Sequence, residues 1–189
     1  NLIQIELPIW LDGYWQSYKY FEDIKPALRE MIAFPVNMNS TMQAIYKDIL
    51  VKDAICIHVR RGDYVTNPSA AQFHGLCDLS YYYSGINLVI KKLINPHAFI
   101  FSDDPLWVRS NFKLQIPSTI VDINGPDEAH QDLWLMAACK HFIIANSSLS
   151  WWGAWLSDQS EKIVVAPNQW FLNGQMSKED LIPDQWIRI

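Results

Sequence analysis

Cysteine is scarce: Cys56, Cys77 and Cys139 are the only three, odd in number, widely spaced and without a C-x-x-C pair. That argues against a disulfide framework or a structural zinc site, and reduced thiols in a cytosolic protein are the simplest account. Basic residues are in deficit, with 15 Lys plus Arg against 20 Asp plus Glu and a net charge of −5. A protein that grips nucleic acid by its phosphates usually shows the opposite balance, so no nucleic-acid partner is expected. Long apolar runs are missing too. The longest, Leu133 to Cys139, falls far short of the ~20 residues of a spanning helix. Neither G-x-G-x-x-G nor G-x-x-x-x-G-K-[ST] occurs, which removes the two common glycine-rich phosphate loops. No ligand cluster suggests a metal, and no signal-peptide pattern follows Asn1.

What is present is globular. In 189 residues, 50% are hydrophobic and 19% charged, enough for one domain with a core of its own. Aromatics are dense, with 9 Trp, 8 Tyr and 8 Phe, and at this density they fill cores before they build stacking platforms. Glu22–Ile32 and Asn39–Leu50 read as helices, the second capped by Ser40 or Thr41. Beyond them the pattern changes to short β-branched runs alternating with helices. Strands are expected at Ala54–Val59, Ala98–Phe101, Thr119–Val121, Phe142–Ala145 and Lys162–Ala166. Helices are expected at Ser80–Leu93, Pro105–Asn111, Asp127–Lys140 and Trp151–Ser157. This is an α/β, Rossmann-like parallel sheet with helices on both faces, occupying 51–189 after a mainly helical segment 1–50. Ligands of such sheets bind outside the carboxyl ends of the strands.

Three clusters fall there. The first strand runs into His58-Val59-Arg60-Arg61-Gly62-Asp63, and strand alternation puts His58 and Arg60 on one face. Adjacent guanidiniums at a buried strand end suit anion recognition, against a structural pairing of Arg61 with Asp63 or a helix end. Asp103 and Asp104 end the second strand. One acid can cap the next helix, and the other can receive the paired N–H groups of a guanine. The fourth strand ends in Asn146, Ser147, Ser148 and Ser150 before a helix, a diphosphate cradle or an N-cap with spare serines. The expected ligand is a nucleoside diphosphate held by arginine and a helix start.

The ordered motifs His58–Tyr64, Phe101–Asp104 and Ala145–Leu156 resemble those of bacterial α-1,2-fucosyltransferases, and Gly13–Phe21 is similar to that family's upstream segment. The resemblance runs from roughly residue 8 to residue 170. It implies the C-terminal, donor-binding lobe of a two-lobed, GT-B-like glycosyltransferase. It further implies inverting, metal-independent transfer of L-fucose from GDP-β-L-fucose to the 2-hydroxyl of a galactoside, with no cofactor. His58 and Asp103 or Asp104 would contact guanine, Arg60 would bridge the diphosphate with Arg61 assisting, and Ser147 and Ser148 would hold phosphate oxygens. The general base is left open: some relatives carry a carboxylate shortly after the arginine pair, where Asn67 and Pro68 stand here, and Asp63 or His74 could take the acceptor proton or be structural, Asp63 being carried with Arg60 as catalytic. The partners would be GDP-fucose and a galactose-terminated oligosaccharide or glycolipid, and the setting a bacterial cytoplasm or the periphery of its inner membrane. Family members begin with a GxxGNQ-type segment that nothing before Gly13 matches. The chain is therefore expected to be the C-terminal two-thirds of such an enzyme, binding donor and catalysing only with the missing lobe. A GDP-binding fragment without activity and another HxRR-type fucosyltransferase are the alternatives.

Overall fold

The computed structural model describes residues 10, 12, 17–32, 38–172 and 180–189. Gly13–Gln16, part of the upstream segment, lie outside the described residues. From Asp53 onward the chain alternates strand and helix: β1 (Asp53–Val59), β2 (Pro96–Ser102), β3 (Ser118–Val121), β4 (His141–Ile143), β5 (Val164–Ala166) and β6 (Ile187–Arg188). All pair in parallel, in the order β3-β2-β1-β4-β5-β6. The α/β parallel sheet expected from the sequence is thus what forms. The order reverses between β1 and β4, the switch point at which open α/β sheets leave a crevice.

Period-2 alternation in β1 feeds two cores. Ala54 and Cys56 join one with α2 (Ser40–Val51), α7 (Ala129–Ala138) and α8 (Ser148–Leu156), while Ile55, Ile57 and Val59 join the other with α5 (Leu79–Ile90) and α6 (Pro105–Asn111). The helices thus cover both faces, which is why β1 reads as a continuous apolar run. Trp151, Trp155, Trp170 and Trp186 are all buried in the first core, so the aromatic excess is largely packing. Phe21 stacks on Trp152 from the N-terminal segment, at 4.8 Å between ring centroids. The three cysteines are free thiols, Cys56 and Cys139 buried.

Several boundaries differ from the sequence reading. Glu22–Ile24 is a 3₁₀ turn, and α1 covers only Lys25–Met31, with Pro26 in its first turn. Asn39, not Ser40 or Thr41, caps α2, its side chain accepting from Met42 N–H at 2.8 Å. α7 starts at Ala129 after a 3₁₀ turn and ends at Ala138, so His141 belongs to β4. Two short helices are additional to the sequence reading, α3 (Gly62–Thr66) and α4 (Pro68–His74). Asn67 ends one and caps the other, accepting from Ser69 and Ala70 N–H. α8 begins at Ser148 rather than Trp151, because Trp151 N–H already bonds Ser147 carbonyl at 3.0 Å.

α8 is pinned against its neighbours. Gly153 lets it lie close on α7: a Cβ there would stand 2.8 Å from Met136 Cβ. At its carboxyl end, Arg29 Nε donates to Leu156 O at 2.8 Å, and Lys162 Nζ donates to Ala154 O and Ser157 O. Cations on the terminal carbonyls satisfy them and complement the helix dipole.

Candidate functional site at the carboxyl ends of the strands

β1 stays buried to its last residue, then releases two arginines. His58 is 3% exposed. Burial, with help from the charge of Arg60, depresses its pKa to about 3, so the ring is neutral. Its Nδ1 is buried without a partner among the described residues. The strand ends at Val59, so Arg60 follows no strand alternation, and Arg61 occupies the N-cap position of α3.

Acids hold both arginines. Arg60 Nη2 donates to Asp63 Oδ1 at 2.6 Å and Nη1 pairs with Asp103 Oδ2 at 2.9 Å, while the guanidinium lies 5.4 Å from the Tyr64 ring centroid. Arg61 donates its backbone N–H to Asp103 Oδ1 at 2.8 Å and its Nε to Asp104 Oδ2 at 3.1 Å. Its guanidinium sits 3.9 Å from the Trp107 ring, a cation–π contact. The structural pairing read from the sequence therefore takes another form: Arg61 pairs with Asp104, and Asp63 serves Arg60. Asp104 is also the acid that caps α6, through Trp107 N–H at 3.0 Å. Asp103 reaches β1 because residue 62 is glycine; a Cβ there would overlap Asp103 Oδ2 and stand 3.2 Å from its Cγ.

Two of the residues expected to hold phosphate are committed elsewhere. Asn146 is 3% exposed. Its Nδ2 donates to His74 O at 2.8 Å, Trp170 O at 3.2 Å and Gly75 O at 3.4 Å, and its Oδ1 accepts from Cys77 Sγ. A carboxamide so engaged stitches the α4–α5 loop and the segment after β5 onto the end of β4. Ser150, fully buried, turns its hydroxyl back to Ala145 O and Ser147 O. Ser147 is the N-cap residue, without a side-chain cap bond, and Ser148 is exposed in the first turn. Of the four residues expected there, Ser148 alone is exposed, and Ser147 is 9% exposed.

His74 is brought to the same cluster. Its ring stacks on Tyr64 at 4.4 Å and 5°, and burial depresses its pKa. Tyr64 is a tether that the sequence reading does not include: its hydroxyl donates to Asn146 O at 3.0 Å, tying α3 to β4. Tyr81 does the same for β4 and β5, its hydroxyl reaching Ile144 O at 2.6 Å and Val165 O at 3.2 Å. A polar tip on an otherwise apolar helix face is the available signal for Tyr81. Among the described residues no group of three or more His, Cys, Asp or Glu is arranged to hold a metal ion. No helix among them is long and apolar enough to cross a membrane.

A parallel sheet covered by helices, with an arginine pair after β1 and the start of α8 after β4, the two strands that bound its switch point, defines a Rossmann-like α/β domain. Comparison with known proteins narrows the class: the family model for glycosyl transferase family 11 matches residues 3–189, and the chain belongs to that family. It is 38% identical over 179 residues, 94% of its length, to the alpha-1,2-colitosyltransferase of Escherichia coli, of which it covers 61%. It is 36% identical over 182 residues to the O-antigen biosynthesis glycosyltransferase WbnK of Escherichia coli, covering 91% of this chain and 60% of that one. A galactoside 2-alpha-L-fucosyltransferase of Caenorhabditis elegans matches at 26% over 194 residues, 95% of this chain and 52% of its own. The chain thus spans about three-fifths of the length of the two bacterial relatives.

Proposed function

We propose that residues 51–189 form the donor-binding domain of an inverting, metal-independent galactoside α-1,2-fucosyltransferase, with 1–50 leading in from a preceding lobe. The donor is GDP-β-L-fucose and no cofactor takes part. The observation that carries this reading is the arginine pair at the end of β1, oriented by three aspartates, on one of the two strands that bound the switch point. Guanidinium forks match phosphate oxygens two at a time. Ser147, Ser148 and the first N–H groups of α8 complete the diphosphate contacts. Of the residues expected at guanine, Asp103 or Asp104 reads the base edge, while His58, 3% exposed, is enclosed at the end of β1 and supports the site from beneath. The acceptor is a galactose-terminated oligosaccharide or glycolipid, and the protein works in a bacterial cytoplasm or at the inner-membrane surface.

In this reading the acceptor 2-hydroxyl attacks the anomeric carbon as its bond to the β-phosphate oxygen breaks, and GDP leaves with an added negative charge. Arg60 and the N-terminus of α8 stabilise that charge where it develops, which is the usual source of the largest rate gain. The acceptor proton passes to Asp63 or to His74. Asp63 already clamps Arg60, so its replacement disturbs two functions, whereas His74→Gln tests proton transfer more cleanly.

A second reading changes only the sugar: the 38% identity to an alpha-1,2-colitosyltransferase favours a colitosyl donor on the same nucleotide. The test is calorimetric titration of this chain with GDP, ADP and UDP, with and without EDTA, followed by fucosyl against colitosyl donor in the same cell. Selective GDP binding indifferent to EDTA supports the domain assignment. A folded chain that ignores GDP refutes it.

A further inference from the structure

Beside the arginine cluster lies a cleft of about 320 Å³ that the diphosphate contacts leave unused. It opens at the carboxyl ends of β4 and β5, between the α4–α5 loop and the segment after β5, with Asn146 as its inner wall. The volume sits at the small end of the roughly 300–1,000 Å³ range of small-molecule clefts. Among the described residues the lining includes no lysine or arginine, so these residues offer a phosphate no cation. It offers instead neutral and acceptor groups. Asp78 caps α5 through Oδ1, which accepts from Tyr81 N–H at 2.8 Å and from Ser80 Oγ, and its Oδ2 takes part in neither bond. Gln169 presents an exposed carboxamide, which supplies both donors and an acceptor. Leu76, Pro167 and Leu172 supply apolar surface. The far side is fixed: Tyr81 is tied to the Ile144 and Val165 carbonyls and Asn146 to those of His74, Gly75 and Trp170.

A carboxylate oxygen, a carboxamide and an apolar wall on a rigid floor are what a neutral pyranose requires, since its hydroxyls both give and accept and its C–H face is apolar. The cleft also connects with the chemistry. His74 lines it and at the same time stacks on Tyr64, the ring over which Arg60 lies. We propose that this cleft is a pyranose subsite of the transferase, recognising a sugar ring through Asp78 and Gln169, with His74 at the boundary between sugar and diphosphate. The assignment rests on the transferase reading for the origin of the sugar, which is either the glycosyl group of the donor or the terminal galactose of the acceptor.

The test uses saturation-transfer NMR on the chain with methyl α-L-fucoside and methyl β-D-galactoside as separate probes. Gln169→Trp and Leu76→Trp each fill the cleft from an exposed position, Leu76 being 45% exposed. Circular dichroism and melting of both variants check that the fold is kept. At least one glycoside is expected to receive saturation from the parent chain and to lose about fivefold or more of it in each variant, the ring being excluded by volume. In the same samples GDP affinity should change by less than about twofold, as separate sites rarely couple more strongly. Response of the fucoside assigns the subsite to the donor sugar, and response of the galactoside assigns it to the acceptor. Absence of transfer to either glycoside overturns the proposal, and so does a signal that survives either variant. Loss of the glycoside signal in a chain that never binds GDP keeps the subsite and removes the nucleotide reading instead.

Discussion

Asn146 separates a scaffold from a ligand contact, and Asn146→Ala decides between them. The side chain is 3% exposed and holds three carbonyls, of which His74 O at 2.8 Å and Trp170 O at 3.2 Å are the shorter contacts. Removing the amide strands a buried Trp170 carbonyl, at ~1–3 kcal/mol, and removes a half-buried bond to His74 O, worth ~1 kcal/mol. The expected loss is therefore about 2–4 kcal/mol. For a chain of this size each kcal/mol moves the melting temperature by roughly 2–4 °C, so a fall of about 5–15 °C is expected. Urea denaturation should show a lower midpoint with an unchanged slope, since the surface exposed on unfolding is the same. Asn146→Asp should be worse than alanine, because it aims a buried carboxylate at carbonyl oxygens. GDP affinity, measured well below the transition, should change by less than about threefold. A phosphate ligand behaves the other way, with melting unchanged and affinity lost. An alanine variant that melts within about 1 °C of the parent refutes the scaffold argument.

Arg60→Ala should abolish transfer in the complete enzyme and weaken GDP binding in this chain, while Arg60→Lys rescues poorly because a point charge cannot reproduce the fork; parent-like titration curves for both variants would remove Arg60 from the site. Gly62→Ala should push Asp103 off the end of β1, loosening both arginines. GDP affinity should drop about tenfold for a melting change of only a few degrees, and unchanged affinity would show that Asp103 does not orient the pair. His58 predicts an acid-side instability. Unfolded histidine binds its proton near pH 6.5, whereas native His58 binds it only near about 3. Protons therefore favour unfolding between those values: stability is full above pH 6.5 and falls as pH drops toward 3, by up to ~1.4 kcal/mol per pH unit. Burial depresses His74, His97 and His141 in the same direction. His58→Gln should accordingly flatten, not abolish, the dependence of urea midpoint on pH, and identical slopes would contradict a buried neutral ring.

The sheet was legible because buried parallel strands announce themselves as β-branched runs, and β1, β2 and β4 carry the motifs at their ends. β6 was invisible for the opposite reason: two residues, Ile187 and Arg188, carry no period. α3 and α4 were hidden because each is short and Asn67 between them looks like an ordinary turn, although Asn followed by Pro is also a cap followed by a first helical residue. The site was legible as composition more than as contacts. Which residues gather at the strand ends follows from topology. Which of them face outward depends on where the backbone stops being strand or coil, and a shift of three residues in the start of α8 was enough to turn Ser150 inward. Asn146 likewise reads as a polar strand-end residue in sequence, and only three-dimensional neighbours 24 to 72 positions away show it to be occupied.

The charge balance of the cluster has a kinetic consequence. Arg60 and Arg61 face Asp63, Asp103 and Asp104, so two cations meet three anions, within a chain of net charge −5. Such a site exerts little long-range pull on a nucleoside diphosphate. The acids nevertheless orient the guanidiniums before the ligand arrives, which lowers the ordering cost of binding. Binding should then depend on short, directional bonds to guanidinium and to the start of α8, inside the ~8–10 Å over which physiological salt screens charge. Steered sites lose association rate steeply as salt rises; this one should not. Stopped-flow or calorimetric titration with GDP from 50 to 500 mM salt is expected to change Kd by less than about threefold. A loss of about tenfold or more over that range would mean that unpaired cations dominate the site, and that the aspartate clamps open before the nucleotide binds.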